Sequence, residues 1–204
     1  MPQDDECFAR AGASFKRRDR WEARDDARLH GDGAGRKVVG PRLKMTSPAS
    51  LQPIRRVQTA DVPSVVALVR ETLAEFGLTF GQGAETDAPL LSLPASYESS
   101  GGAFWVATTA TGALVGTCGV APVAPGVFEV RKMYLRPAAR GSGVAQRLLD
   151  ECVTWARAHG GRRLVLDTID AMDRAIRFYE RNGFVRDDAE IRGSRCTRGY
   201  SRNL

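Results

Sequence analysis

Apolar residues along this chain fall into two regimes. Up to about residue 50 they show almost no periodicity, and the segment is rich in Arg, Asp, Ala and Gly. It ends in GDGAGRKVVGPRLKMTSPAS, punctuated by Gly and Pro, and such a stretch lacks the apolar surface for a core of its own. RWEARDDARLH is polar all round, so even a short helix there has no face to bury. The expected organisation is a flexible or non-native extension over 1–50, with Met45 as an alternative start, followed by one folded domain over 51–204.

From Leu51 onward the spacing becomes regular. LQPIRRV reads as a short strand, and Asp61 is placed to cap an amphipathic helix, DVPSVVALVRETLAEF, in which Val65, Leu68, Val69, Leu73 and Phe76 recur at helical spacing. TDAPLLSLPASYESS reads as a weaker helix loosened by its prolines. AFWVATT and ALVGTCGVAPV, separated by the turn ATG, predict a hairpin. GVFEVRKMYL is a third strand, and strict alternation puts Phe128, Val130, Lys132 and Tyr134 on one face and Glu129, Arg131, Met133 and Leu135 on the other. RRLVLDTI predicts a strand, MDRAIRFYERN a helix closed by Gly183 at C′, and FVRD and TRGYSRNL two last short strands. The order βααβββαβαββ implies an α/β (α+β) fold built on a mixed sheet.

Composition narrows the function classes. With 204 residues, 43% hydrophobic and 26% charged, the chain has the material for one sizeable core. Cys7, Cys118, Cys152 and Cys196 lie far apart, and with only two histidines they argue for reduced, mostly buried thiols rather than a metal site. No apolar run approaches the roughly 20 residues of a membrane helix, and the acidic start MPQDDECFAR does not resemble a secretory leader, so the expected location is the cytoplasm. A net charge of +6 raises the question of nucleic acid, but 30 basic residues interspersed with 24 acidic ones describe a solvated mixed surface.

The most informative stretch is ARGSGVAQRLL. The preceding strand stops at Arg136-Pro137, because proline cannot continue a ladder, and a helix begins near Ser142 to Val144. The amides of Gly141, Gly143, Val144 and Ala145 then point out of a helix N-terminus, where the macrodipole favours an anion. Arg140 adds a full charge suited to bidentate phosphate contact. A Walker loop would need Gly-Lys-Ser/Thr, and a dinucleotide fingerprint a third glycine and a later acid; neither is present.

Arg140, Gly141, Ser142, Gly143, Val144 and Ala145 together resemble the R/Q-x-x-G-x-G/A loop of the GCN5-related N-acetyltransferases (GNAT). The likeness extends to VRKMYLRP upstream and AIRFYERNGF downstream, and covers the element order from about Leu51 to Leu204. One departure is Met172, three positions before Ala175, where the family often has Asn. The resemblance implies a mixed, mostly antiparallel sheet flanked by helices, acetyl-CoA as co-substrate with its pyrophosphate on the loop, no metal, and free backbone amides at Met133, Tyr134 and Leu135 that polarise the thioester. It also implies that Tyr179 protonates the departing thiolate.

An attacking amine must first lose a proton. Glu129, on the predicted face of Met133 and Leu135, is the candidate base, set against the alternatives of a carboxylate merely paired with Arg131 or Arg136 and of a water chain. Asp167 is a weaker candidate. Trp105 and Trp155 read as core, His159 as a helix cap, and the arginines of RGSRCTRGYSRN either as a lure for an acidic acceptor or as a solvated terminal strand. Three functions remain: an N-acetyltransferase acting on a small-molecule or peptide amine, as monomer or homodimer; a non-catalytic coenzyme A-binding sensor or subunit; and, least supported, a nucleic-acid binder using the basic N-terminal segment.

Overall fold

A computed structural model describes residues 54–204. The predicted extension and Cys7 lie outside them. Seven strands form one sheet: β1 (Arg55–Arg56), β2 (Ala103–Thr108), β3 (Leu114–Ala124), β4 (Val127–Leu135), β5 (Arg163–Thr168), β6 (Val185–Arg186) and β7 (Arg198–Asn203). Their spatial order is β1-β2-β3-β4-β5-β7-β6, antiparallel throughout except for β4 beside β5. The predicted strands are all present, and the mixed, mostly antiparallel sheet is confirmed.

Helices cover both faces. α1 (Val62–Ala74) buries Val65, Leu68, Val69 and Leu73 of the stripe read from the sequence, and with them Val66 and Thr72. Phe76 falls past its last turn. Asp61 directly precedes α1, but its carboxylate turns backward: it accepts the Gln58 amide (2.8 Å) and pairs with Arg55 (2.7 Å), making no cap bond to α1. The weak second helix resolves into a 3-10 stretch, Glu85–Ser92, which contains Pro89, and α2 (Ala95–Glu98), the two divided at Leu93-Pro94, where proline denies the backbone a donor. On this side Phe104, Val106 and Leu114 complete one core with α1. On the other, α3 (Val144–Ala158) and α4 (Asp173–Arg181) pack Leu148, Leu149, Ile176 and Tyr179 against Trp105, Val120, Phe128 and Leu164.

The expected local stops occur. Gly183 follows α4 at φ 78°, and the backbone amide and ring Nδ1 of His159 both lie on the Trp155 carbonyl at the end of α3, with the His159 ring stacked on Trp155 at 4.0 Å. Trp105 is buried and Trp155 half-buried against the same core. Cys118 and Cys152 are free buried thiols with Sγ atoms 3.3 Å apart, and Cys196 is free and half-buried.

The alternation assigned to β4 holds only as far as Arg131. Lys132 has φ 53°, and the register passes from Gly119↔Arg131 to Thr117↔Tyr134, so two residues of β4 oppose Cys118 alone: a β-bulge. After it the faces exchange. Met133 and Leu135 join Phe128 and Val130 on the α3 side, while Lys132 and Tyr134 turn to the α1 side with Glu129. The predicted sharing of a face by Glu129, Met133 and Leu135 is therefore wrong. A left-handed non-glycine residue costs about 1–2 kcal/mol. The Thr117 hydroxyl offsets part of this by donating to the Lys132 carbonyl (2.8 Å).

Candidate active site

β4 and β5 pair only through Val127–Glu129 against Arg163–Val165. Beyond that point they diverge, leaving Met133, Tyr134 and Leu135 without a partner on the β5 side. The space between them opens into a cavity of about 580 Å³ whose wall includes Glu129, Lys132, Tyr134, Met172, Tyr179 and Arg195.

The loop after β4 lies at one end of this wedge. Gly141 and Gly143 adopt φ 80° and 84°, with Gly143 the residue before α3, and a Cβ built at either would meet nothing within 4 Å. The turn thus requires glycine for its backbone angles, and the space above it is open. Among the described residues, the amides of Gly141, Gly143, Val144 and Ala145 donate to no protein acceptor. Gly141, Ser142 and Gly143 are exposed, Ala145 partly so, and Val144 is fully buried, anchoring the helix start. Ser142 turns its hydroxyl back to the Ala139 carbonyl (2.6 Å). The N-terminus of α3 sits close to the sheet because Gly116 has no side chain: a Cβ there would lie 2.6 Å from Leu135 and 3.3 Å from Val144 and Leu148.

Arg140, the phosphate ligand expected from the sequence, is paired within the chain. Its Nη2 lies 2.7 Å from Glu75 and its Nε donates to the Leu135 carbonyl (3.0 Å). Arg136 pairs in the same way with Glu71 (2.8 Å), one turn earlier on α1. The two pairs tether the segment after β4 to α1 and to the residue that follows it, and the Arg140 side chain stays 28% exposed beside the turn.

Tyr179 is buried in α4, edge-on to Phe178 and Phe184 at 5.6 and 5.7 Å, and borders the cavity. Burial pushes its hydroxyl well above the usual phenol value, so it is a neutral donor throughout the working pH range. Tyr134 is pushed up to about 12, again chiefly by burial. Glu129 is also buried, and its Oε2 is held by Arg131 at 2.6 Å, the paired alternative weighed above; among the described residues its Oε1 receives no hydrogen bond. Asp167 is occupied structurally: its Oδ2 accepts the amides of Arg192 (2.9 Å) and Gly193 (2.8 Å), fixing the loop before β7. Met172 precedes α4 and accepts only a weak contact from the Thr168 hydroxyl (3.5 Å).

Sequence reasoning missed a buried ionic cluster on the cavity wall. Asp87, with no exposed surface, is contacted by Lys132, by both terminal nitrogens of Arg195 (3.0 and 3.1 Å) and by the Gly81 amide (2.8 Å). Arg195 is thus no solvated terminal residue. The available signals were an isolated acid in the apolar TDAPLL and a lysine in the middle of a strand otherwise bound for the core.

A model of the acetyltransferase (GNAT) family matches residues 68–184. The uncharacterized N-acetyltransferase YjgM of Escherichia coli is 35% identical over 139 residues, spanning 66% of this chain and 83% of that protein. An uncharacterized N-acetyltransferase of Schizosaccharomyces pombe is 33% identical over 127 residues, 61% of this chain and 76% of its own. Among solved structures, a GNAT-family acetyltransferase from Staphylococcus aureus superposes with a TM-score of 0.69 at 23% identity, over 76% of this chain and 99% of its own. A phosphinothricin acetyltransferase from Sinorhizobium meliloti, solved with acetyl-CoA, gives 0.60 at 22% identity, over 74% and 88%. These two likenesses are of fold.

Proposed function

The chain belongs to the acetyltransferase (GNAT) family, and on that premise we propose that it moves an acetyl group from acetyl-CoA onto a primary amine by direct attack on the thioester. The observation that carries this reading is the two-glycine turn at the start of α3, whose unpaired amides open to solvent just after the strand that diverges from β5. Backbone donors at a helix N-terminus suit a pyrophosphate, and the open space over Gly141 and Gly143 admits one. Bound there, acetyl-CoA supplies the activated acyl group.

The chain's own residues then have distinct tasks. The backbone of Met133 to Leu135, unpaired toward β5, is positioned to polarise the thioester oxygen as it becomes negative. Tyr179 offers its hydroxyl to the departing thiolate, and burial keeps that hydroxyl protonated and so able to act as donor or acid. Glu129, through its open Oε1, or water relayed from it, takes the proton of the attacking amine. Arg140 braces the loop. The test is release of free coenzyme A thiol from acetyl-CoA across an amine panel, with coenzyme A binding followed by calorimetry. Turnover with any amine supports the transferase. Binding without turnover identifies a coenzyme A sensor, and loss of neither binding nor turnover in Gly143→Glu would place the cofactor elsewhere.

A further inference from the structure

The bulge at Lys132 invites a reason for its strain. It delivers an ammonium, on a side chain only 4% exposed, to the wall of the cavity. Among the described residues Asp87 is the sole acceptor for that ammonium, so two of its three N–H bonds are unmatched. Asp87 is itself shared with Arg195, whose Nη1 also reaches the carbonyls of Gln82 (3.1 Å) and Thr79 (3.5 Å), while among the described residues its Nε meets no acceptor. The other ionic groups nearby are already engaged: Arg131 with Glu129, Arg192 with Glu190 (2.5 Å), and Asp167 with two backbone amides. Of the two cations on the cavity wall, Lys132 is the more deeply buried, with a side chain 4% exposed against 11% for Arg195, and on the same strand face Glu129 Oε1 is an open acceptor; Tyr179 adds a neutral donor.

Resting on the acetyltransferase reading, we propose that the acceptor is a small zwitterion, a primary amine that also bears a carboxylate, with the carboxylate bound by Lys132. Lys132 has one acceptor for three donors, and Asp87 alone faces two cations, so a substrate carboxylate supplies both the missing acceptors and a second negative charge. The amine of the same molecule then faces Glu129. Neutral amines leave Lys132 unmatched and bind less well, because the unsatisfied group penalises the wrong ligand.

Matched acceptors decide the question: free amino acids against their carboxamides, with the same side chain. The carboxamide amine is the more easily deprotonated, so intrinsic chemistry favours it and any preference for the acid reflects recognition. At least one side chain should show a kcat/KM about 10- to 100-fold higher for the acid, the range of one charge-assisted contact. In Lys132→Met that ratio should collapse toward one. Lys132→Asn, whose residue type tolerates the left-handed backbone, repeats the test if the methionine variant does not fold. Calorimetry of N-acetyl amino acids against N-acetyl amino acid amides, with coenzyme A present, should show the same preference without turnover. A wild-type ratio near one for every pair, or a ratio unchanged in the variants, overturns the assignment while leaving acetyl transfer standing. Equal loss for both members makes Lys132 a group acting on the amine and likewise overturns it. Should no amine be turned over, the transferase reading fails and calorimetry alone decides the carboxylate site, equal or absent binding of the acetylated pair counting against it.

Discussion

Asp87→Asn tests the buried cluster most directly. The substitution preserves shape but removes the charge that Lys132 and Arg195 share, leaving two cations in a site with no exposed carboxylate surface. Removing one partner of a buried pair costs about 3–5 kcal/mol. For a folded unit of this size, at about 2–4 °C per kcal/mol, Tm should fall by about 6–20 °C. The pH dependence fixes the cause. Burial alone would raise the Asp87 carboxyl, but hydrogen bonds from Arg195, Lys132 and the Gly81 amide hold it below its ordinary 3.8. Its contribution is therefore complete above about pH 4 and disappears as pH falls through the depressed folded value. The gap between wild type and variant should be full from pH 5 to 7 and close as pH falls below 3.8 through the depressed folded value. Lys132 works in the opposite sense: burial lowers its pKa from 10.5, with Asp87 opposing, so in the variant it sheds its proton more readily and the deficit should shrink toward pH 10. Thermal unfolding by circular dichroism across pH 2.5–10 measures all of this. A loss below about 1 kcal/mol at pH 7, or a gap independent of pH, would refute the reasoning.

Two further outcomes are expected. Tyr179→Phe keeps the contacts with Phe178 and Phe184 but removes the donor, so the single-turnover rate should drop about 10- to 100-fold with little change in acetyl-CoA affinity, and the wild type should show no basic limb from this hydroxyl up to pH 10; an unchanged rate makes Tyr179 a packing residue. Deleting residues 1–44, which lack core periodicity in the sequence, should leave Tm and coenzyme A binding nearly unchanged, and a fall of several degrees in a thermal melt would show that they pack on the domain.

What the sequence determined by itself is what physics decides within about one helical turn or one strand. Helical spacing in α1, the paired glycines before α3, the glycine closing α4 and the hairpin of β2 and β3 are local choices of backbone angle and apolar face, and each was legible. The same locality explains the errors. Alternation along β4 carries no mark of the bulge, because Lys132 is not a residue that favours a positive φ; its conformation is imposed by the register against β3 and held by Thr117, 15 residues away. The partner of Arg140 in the chain, Glu75, lies 65 residues away and is invisible beside the loop motif. The cluster on the cavity wall joins Asp87 to Lys132 across 45 residues and to Arg195 across 108. Nothing in the neighbouring sequence of any of the three specifies that meeting, since a charge finds its partner only after the intervening chain has closed, and at that point burial makes the pairing obligatory.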